Sequence, residues 1–358
     1  MKKAACWILT AMIAICMLSG CWPANADDNE LVTVYCVQNA QYHKINGDKF
    51  TSTTCTYYDT GFLKSRMRNS DVTDSFTYDD RGNILSGPND RTGNSTFVYD
   101  DNNNVLTETW TLHGNEEKIV NTYNKRNQLV KTEHLSNGQV QILETYKYDI
   151  FGNKVSATYE YLTNKTEPNQ YLYWKYDLFG NMLSQKIYYG DTLRHEITCT
   201  YYLNGKLASK KELLDGERIF EQTCTYDLLG NLVLNYTESL WAFVPEASAT
   251  ELLPCTERNE YDLRGNLLKQ TIITEGSKYS YSWTYNARGQ KTSYTTENTK
   301  TEWEYDEHGN LVTYRWYYDG ELSQTIQYSY RSFEVPRWAA KIIEKQQSKY
   351  LDVPNKWA

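Results

Sequence analysis

The residues of this chain that could do chemistry are its cysteines, its five histidines and a recurring tyrosine-aspartate pair. A thiol can act as a nucleophile, a metal ligand or half of a disulfide. The histidines stand at 43, 113, 134, 195 and 308, and neither a CxxC nor an HExxH run is present, so no metal site is expected. Glycines fall singly, which does not make a phosphate-cradling loop. The recurring carboxylates follow tyrosines in segments that read as turns, where local hydrogen bonding already accounts for them. An acid pair of the kind that hydrolyses glycosides could be drawn from distant parts of a chain. Nothing selects such a pair here, so no catalytic residue, enzyme activity or cofactor is expected.

The thiol with the clearest chemistry is Cys21. Lys2 and Lys3 precede an uncharged, largely apolar run from Ala4 to Leu18, and Ser19 and Gly20 follow. This is the order of an export signal: basic start, apolar middle, small residues at the cut. The run is shorter than the ~20 apolar residues a spanning helix needs. Leu18-Ser19-Gly20-Cys21 resembles the lipobox of bacterial lipoproteins. That resemblance implies diacylglyceryl transfer to the Cys21 thiol, acylation (palmitate) and removal of residues 1–20. The alternative is an ordinary secretory leader that contains a cysteine. A lipidated Cys21 places the chain in the cell envelope, on the outer face of the cytoplasmic membrane or on the outer membrane. Trp22 is not the aspartate associated with inner-membrane retention in enteric bacteria.

Loss of residues 1–20 removes two lysines and no acid, taking the formal net charge from −8 to −10 over the remaining 338 residues. So acidic a body is poorly suited to nucleic acid. Thirty-two tyrosines favour strands over helices.

Internal repetition sets the architecture. Eleven units begin at Tyr57, Tyr78, Tyr99, Tyr123, Tyr148, Tyr176, Tyr201, Tyr226, Tyr261, Tyr285 and Tyr305. The clearest read YDDRGNI, YDLFGNM, YDLLGNL, YDLRGNL and YDEHGNL. Position five is Gly in nine units and Asn in two, Asn103 and Asn127, the residue types that best tolerate a left-handed backbone. An Asp that bonds the backbone two residues on, followed by a left-handed residue, is what a short hairpin loop requires. The turn residues are therefore pairs such as Asp79 and Gly82, Asp177 and Gly180, Asp227 and Gly230, Asp262 and Gly265, and Asp306 and Gly309. Two residues before each tyrosine, nine of eleven units carry an aromatic residue or cysteine; the other two carry Asn121 and Asn259. Intervening residues are mostly Thr, Lys or Glu, so one strand face is buried and the other wet.

Over about residues 50–330 the chain resembles the RHS or YD-repeat family, whose units carry a Y-D-x-x-G-[RN]-L core. The resemblance implies an all-β fold: tandem antiparallel β-hairpins forming one long curled or spiral sheet, a partial shell. Twenty-two strands at ~4.8 Å would span on the order of 100 Å, and such a sheet must curl to cover its apolar face. Members of the family enclose a toxic C-terminal domain, but this chain has no Asp-Pro pair, and residues 331–358 are too few for one.

The expected organisation is a signal peptide at 1–20, a tether at 21–30, a YD-repeat β domain at 31–330 and a C-terminal capping segment at 331–358. Leu31–Gln38 reads as a strand, Asn46-Gly47 as a hairpin turn and Trp338–Tyr350 as a short helix that caps the array. Between Tyr226 and Tyr261 a 35-residue step contains Trp241 and Phe243. These form either a binding loop on a rigid scaffold or a plug folded back on the sheet. Cys199 and Cys224 occupy equivalent sites with a strand between them, ~10 Å apart, beyond the ~7 Å limit of a disulfide. Cys36 with Cys55 is the bridge expected, because an N-terminal hairpin would set their strands side by side.

Three functions follow as expectations. The first is a membrane-anchored, non-catalytic binding or adhesion module whose Tyr and Trp hold a glycan or an envelope protein. The second is a structural shell or scaffold of an envelope complex. The third, an envelope hydrolase, would need paired acids of perturbed pKa in a cleft.

Overall fold

The computed structural model describes residues 30–44, 51–68, 72–89, 93–164, 166–239 and 253–350. Among them it has twenty-five strands, assigned to one antiparallel sheet, and one helix, Arg337–Tyr350. The all-β hairpin class read from the repeat is the class observed. The residues cluster into two compact units, one built mainly of Ser75–Glu196 and the other of Leu31–Asp74, Ile197–Val335 and the chain from Ala339 onward.

Each Tyr-Asp turn closes the same way, and the YDDRGN copy of the first unit shows how. The Asp79 N–H donates to the Asn83 carbonyl at 3.0 Å, and the Gly82 N–H to the Asp79 carbonyl at 3.2 Å. Asp79 Oδ1 accepts from the backbone N–H groups of Arg81 and Asn83, at 3.0 and 2.8 Å. Asn83 Nδ2 donates to the other carboxylate oxygen at 2.8 Å. Position five has positive φ in all eleven units, from 63° at Asn103 and Asn127 to 93° at Gly152. The strand register shifts by one residue at the tyrosine, the bulge that goes with such a turn.

The opposite ends of the hairpins use a different device. His113-Gly114, Asn137-Gly138, Asp215-Gly216 and Asp319-Gly320 all have positive φ at both residues, the two-residue turn whose twist suits paired strands. Their X-Gly pairs were visible in the sequence but carried no weight there beside the louder Tyr-Asp repeat.

Face assignment follows the alternation. None of the eleven residues two before a repeat tyrosine is exposed, and all eleven immediately before one are. The tyrosines also tie each unit to the one before it. The hydroxyls of Tyr99, Tyr148, Tyr176, Tyr285 and Tyr305 donate to the carbonyls of Ile84, Leu129, Lys154, Leu267 and Lys291, at 2.8–3.1 Å. Each acceptor is position seven of the preceding unit.

In the second unit the strand Leu31–Lys44 pairs on one side with Thr51–Tyr57 and on the other with the long strand Glu321–Pro336. The helix packs Ala339, Ala340 and Ile343 inward. Its Gln347 reads the backbone of the first strand, accepting from the Val37 N–H and donating to the Tyr35 carbonyl, both at 3.0 Å.

Candidate functional site

Where the run of aromatic and cysteine residues breaks, polar clusters form on the tyrosine-bearing face. Asn259 is the break in the second unit. Pairing sets Asn235 opposite Cys224 and Glu257, and Gln270 opposite Asn259 and Tyr281. Side chains on one face of five successive strands, drawn from three repeats, are thus brought together.

Glu257 is the hub. Its Oε1 accepts from Asn259 Nδ2 at 2.7 Å and from Gln270 Nε2 at 2.8 Å, and its Oε2 from Asn235 Nδ2 at 3.3 Å. Gln222 Nε2 extends the chain to Asn235 Oδ1 at 2.9 Å. Asn259 Nδ2 also reaches the Leu232 carbonyl at 3.1 Å. Asn259 is only 7% exposed, yet its Oδ1 has no hydrogen-bond partner. A buried amide oxygen left so costs about 1–3 kcal/mol.

Beside the amides stands an aromatic set. Tyr281 stacks on Tyr294 with ring centroids 6.1 Å apart and planes 7° apart, and Trp283 lies 5.3 Å from Tyr294. All three are half-buried, so their rings are not consumed by packing. A cleft of about 450 Å³ lies on the opposite face, where Lys269, Ser282 and Thr295 are cross-strand partners, and it touches this ring set only at Tyr281. Amides and a carboxylate that fix hydroxyl groups, with flat rings alongside, suit a polyhydroxylated ligand.

The first unit breaks at Asn121 and has its own cluster. Thr132 donates to Asn121 Oδ1 at 2.9 Å, His134 Nε2 meets Glu144 Oε1 at 2.7 Å, and the Tyr146 hydroxyl donates to Glu144 Oε2. Burial acts to raise the Glu144 carboxyl, but the bonds from His134 and Tyr146 outweigh it and hold the group below the usual range. Burial first, and then the bond to Glu144, pushes the Tyr146 phenol well up. Each group is thereby fixed in the charge state it has at neutral pH. Among the described residues no group of three His, Cys, Asp or Glu is placed to hold a metal ion.

Of the residues singled out from the sequence, Asp177, Asp227, Asp262 and Asp306 accept from position six as Asp79 does, at 2.8–2.9 Å to each side-chain amide. Gly82, Gly180, Gly230, Gly265 and Gly309 have φ between 81° and 85°. Cys21, Trp241, Phe243 and the Asn46-Gly47 turn lie outside the described residues. The Cys36–Cys55 bridge is corrected: both are separate buried thiols, and Cys36 Sγ donates to the Gly61 carbonyl at 3.9 Å. The two strands do pair, but the register that sets Asn39 opposite Thr54 carries Cys55 opposite position 38, not 36. Cys199 and Cys224 are free, buried thiols on strands separated by Leu207–Leu214.

No protein-family model matches the chain, and no curated protein matches it. Among solved structures it is similar to a crystal structure of TcdB2-TccC3, at 15% identity over 80% of this chain and 19% of that one, with a TM-score of 0.36. A structure of TcdB2-TccC3-Cdc42 gives the same figures, so this chain spans about a fifth of the length of either. A porin-like protein from Bacteroides uniformis is 11% identical over 82% of this chain and 98% of its own, with a TM-score of 0.25.

Proposed function

We propose that this chain is a lipid-anchored YD-repeat protein of the cell envelope whose tyrosine-bearing face is a non-catalytic binding site for glycan. The observation that carries the reading is the half-buried ring set of Tyr281, Trp283 and Tyr294 beside the Glu257 amide network. The rings would take the apolar face of a pyranose, while the half-buried carboxylate and amides of the network beside them meet its hydroxyls. The anchor rests on the lipobox at Cys21, and family membership on the eleven repeats and their common turn geometry.

The test is a glycan array with the purified full chain beside Trp283→Ala and Glu257→Gln, with thermal melts to show that both variants fold. Binding by the wild type that both variants lose supports the reading. Failure of the wild type on the array, with a protein captured from the envelope by crosslinking, overturns it in favour of a scaffold. The observation favouring that second reading is the tyrosine ladder, which makes each unit a rigid extension of its neighbour.

A further inference from the structure

In the second unit the two edges of the sheet differ in chemistry. At the Tyr-Asp edge the turn tips carry Leu203, Leu228, Leu229 and Leu263, which are 109%, 106%, 68% and 95% exposed. Neighbouring turns hold one another in a row. Lys206 Nζ donates to the Gly230 carbonyl, a Cβ on Gly265 would lie 3.4 Å from Asn231 Oδ1, and Arg264 Nη1 donates to the Ala287 carbonyl at 3.0 Å. The return turns at the other edge are net acidic, with exposed Asp215, Glu217, Glu275, Glu297, Asp319 and Glu321 against Arg218, Lys278 and Lys300, and their apolar residues Leu214 and Tyr318 are only 40% and 49% exposed. The first unit has apolar tips of its own at Ile150, Phe151, Leu178 and Phe179, all exposed.

The leucine row serves no turn geometry, because positions three and four are Glu-His in Asp306–Gly309 and Ala-Arg in Asn286–Gly289 without change of fold. The start of the sheet shows what it faces. Strand Thr51–Tyr57 runs toward a Tyr-Asp turn, and Leu31–Lys44 is antiparallel to it with Tyr42 opposite Thr51. The N-terminal end of Leu31–Lys44 therefore emerges at the leucine edge. Tyr35 stacks on His308 of the turn there, centroids 4.6 Å apart, and Leu31 lies four residues further out, itself 62% exposed. Nine residues separate Cys21 from Leu31, ten chain steps with a reach of at most ~35 Å.

We infer that the leucine-tipped turns of this edge rest in the surface of the bilayer that holds the anchor. This rests on the lipid-anchor reading of Cys21. Separate aliphatic protrusions, with Arg264 and Arg288 behind them, insert below lipid headgroups without needing a matching groove. The acidic return edge would be repelled by anionic lipid and points away from it. With its strands standing on the membrane, the Glu257 face is held open to ligands arriving along the surface.

The test is photolabelling of the full chain in vesicles of phosphatidylethanolamine and phosphatidylglycerol that carry a diazirine phospholipid. Labelled peptides are mapped by mass spectrometry, and the acyl mass at Cys21 is read from the same sample. Label on the Leu203, Leu228-Leu229 and Leu263 turns about tenfold above the Asp215, Glu275 and Asp319 turns supports the proposal. Leu228→Asp/Leu229→Asp, with its melt checked, should lower label at Leu203 and Leu263 as well. Acylated Cys21 with label equal at both edges, or confined to the tether, overturns the docking and leaves the anchor standing. Label at the leucine turns without an acyl mass overturns the anchor and leaves the docking standing.

Discussion

The hydroxyl of Tyr261 donates to the carbonyl of Leu232 across 3.0 Å, and the side chain of Asn259 donates to the same oxygen from two residues earlier. A carbonyl with two lone pairs can take both. At Leu129 the described donor from the next unit is Tyr148 alone, at 2.8 Å.

This difference orders two substitutions. Tyr148→Phe should destabilise by about 1 kcal/mol, and Tyr261→Phe by less, because Asn259 stays on its carbonyl. Urea unfolding of the two variants beside the wild type checks the order; equal losses would mean that the ladder bonds act independently of their surroundings.

Gly230→Ala should cost about 1–2 kcal/mol, read as a lower melting temperature. Its φ is 85°, and the added Cβ would meet Lys206 Nζ at 2.7 Å, the movable end of a long side chain, so most of the cost is backbone strain. Asn103→Gly, at φ 63°, relieves the backbone but gives up the bond that Asn103 Oδ1 accepts from Asn83 Nδ2 at 2.9 Å, so it should change stability little.

The turn aspartates make stability depend on acid. Side-chain donation from Asn231 and then its backbone N–H hold the Asp227 carboxyl below its usual range, and Asn181 and Asn266 do the same for Asp177 and Asp262. A carboxyl lowered on folding contributes stability that is present above its unfolded value, 3.8, and is lost as pH falls through the folded one. The melting temperature should be flat near neutrality and fall below about pH 4. Asp227→Asn should melt lower at pH 7 and lose less on acidification than the wild type.

Burial pushes the Cys36 thiol up to about 12, with Cys55 adding to the effect. Iodoacetamide at pH 8 should therefore leave Cys36 unmodified in the folded chain and alkylate it once urea is added, without reductant. A Cys36 that stays blocked in urea until reductant is added would restore the bridge. The sign is that of a neutral group favoured by folding, so this part of the stability is lost as pH rises past the unfolded value of 9.0.

Turns and faces were legible because they are local. Asp at position two and Gly or Asn at position five dictate a loop within six residues, and alternation dictates which side is wet. The role of the asparagine at position six was in the repeat but not read, since its donation to Asp shows only once the turn closes. The Glu257 cluster was marked only by Asn121 and Asn259 standing where other units have aromatic residues or cysteine. Its other members come from neighbouring strands, and cross-strand register is not written in any one segment. The Cys36–Cys55 pairing failed for the same reason: strand adjacency was inferred, but a two-residue offset was not.

The pairing of Leu31–Lys44 with Glu321–Pro336 has a consequence for biogenesis. The first of the described strands is the one whose second neighbour is made last, nearly three hundred residues later. Until then that strand keeps an open hydrogen-bonding edge, which can pair with the wrong chain. Completion of the second unit accordingly waits for the last strand, and chaperones that shield strand edges would bear on yield more than on the stability of the finished protein.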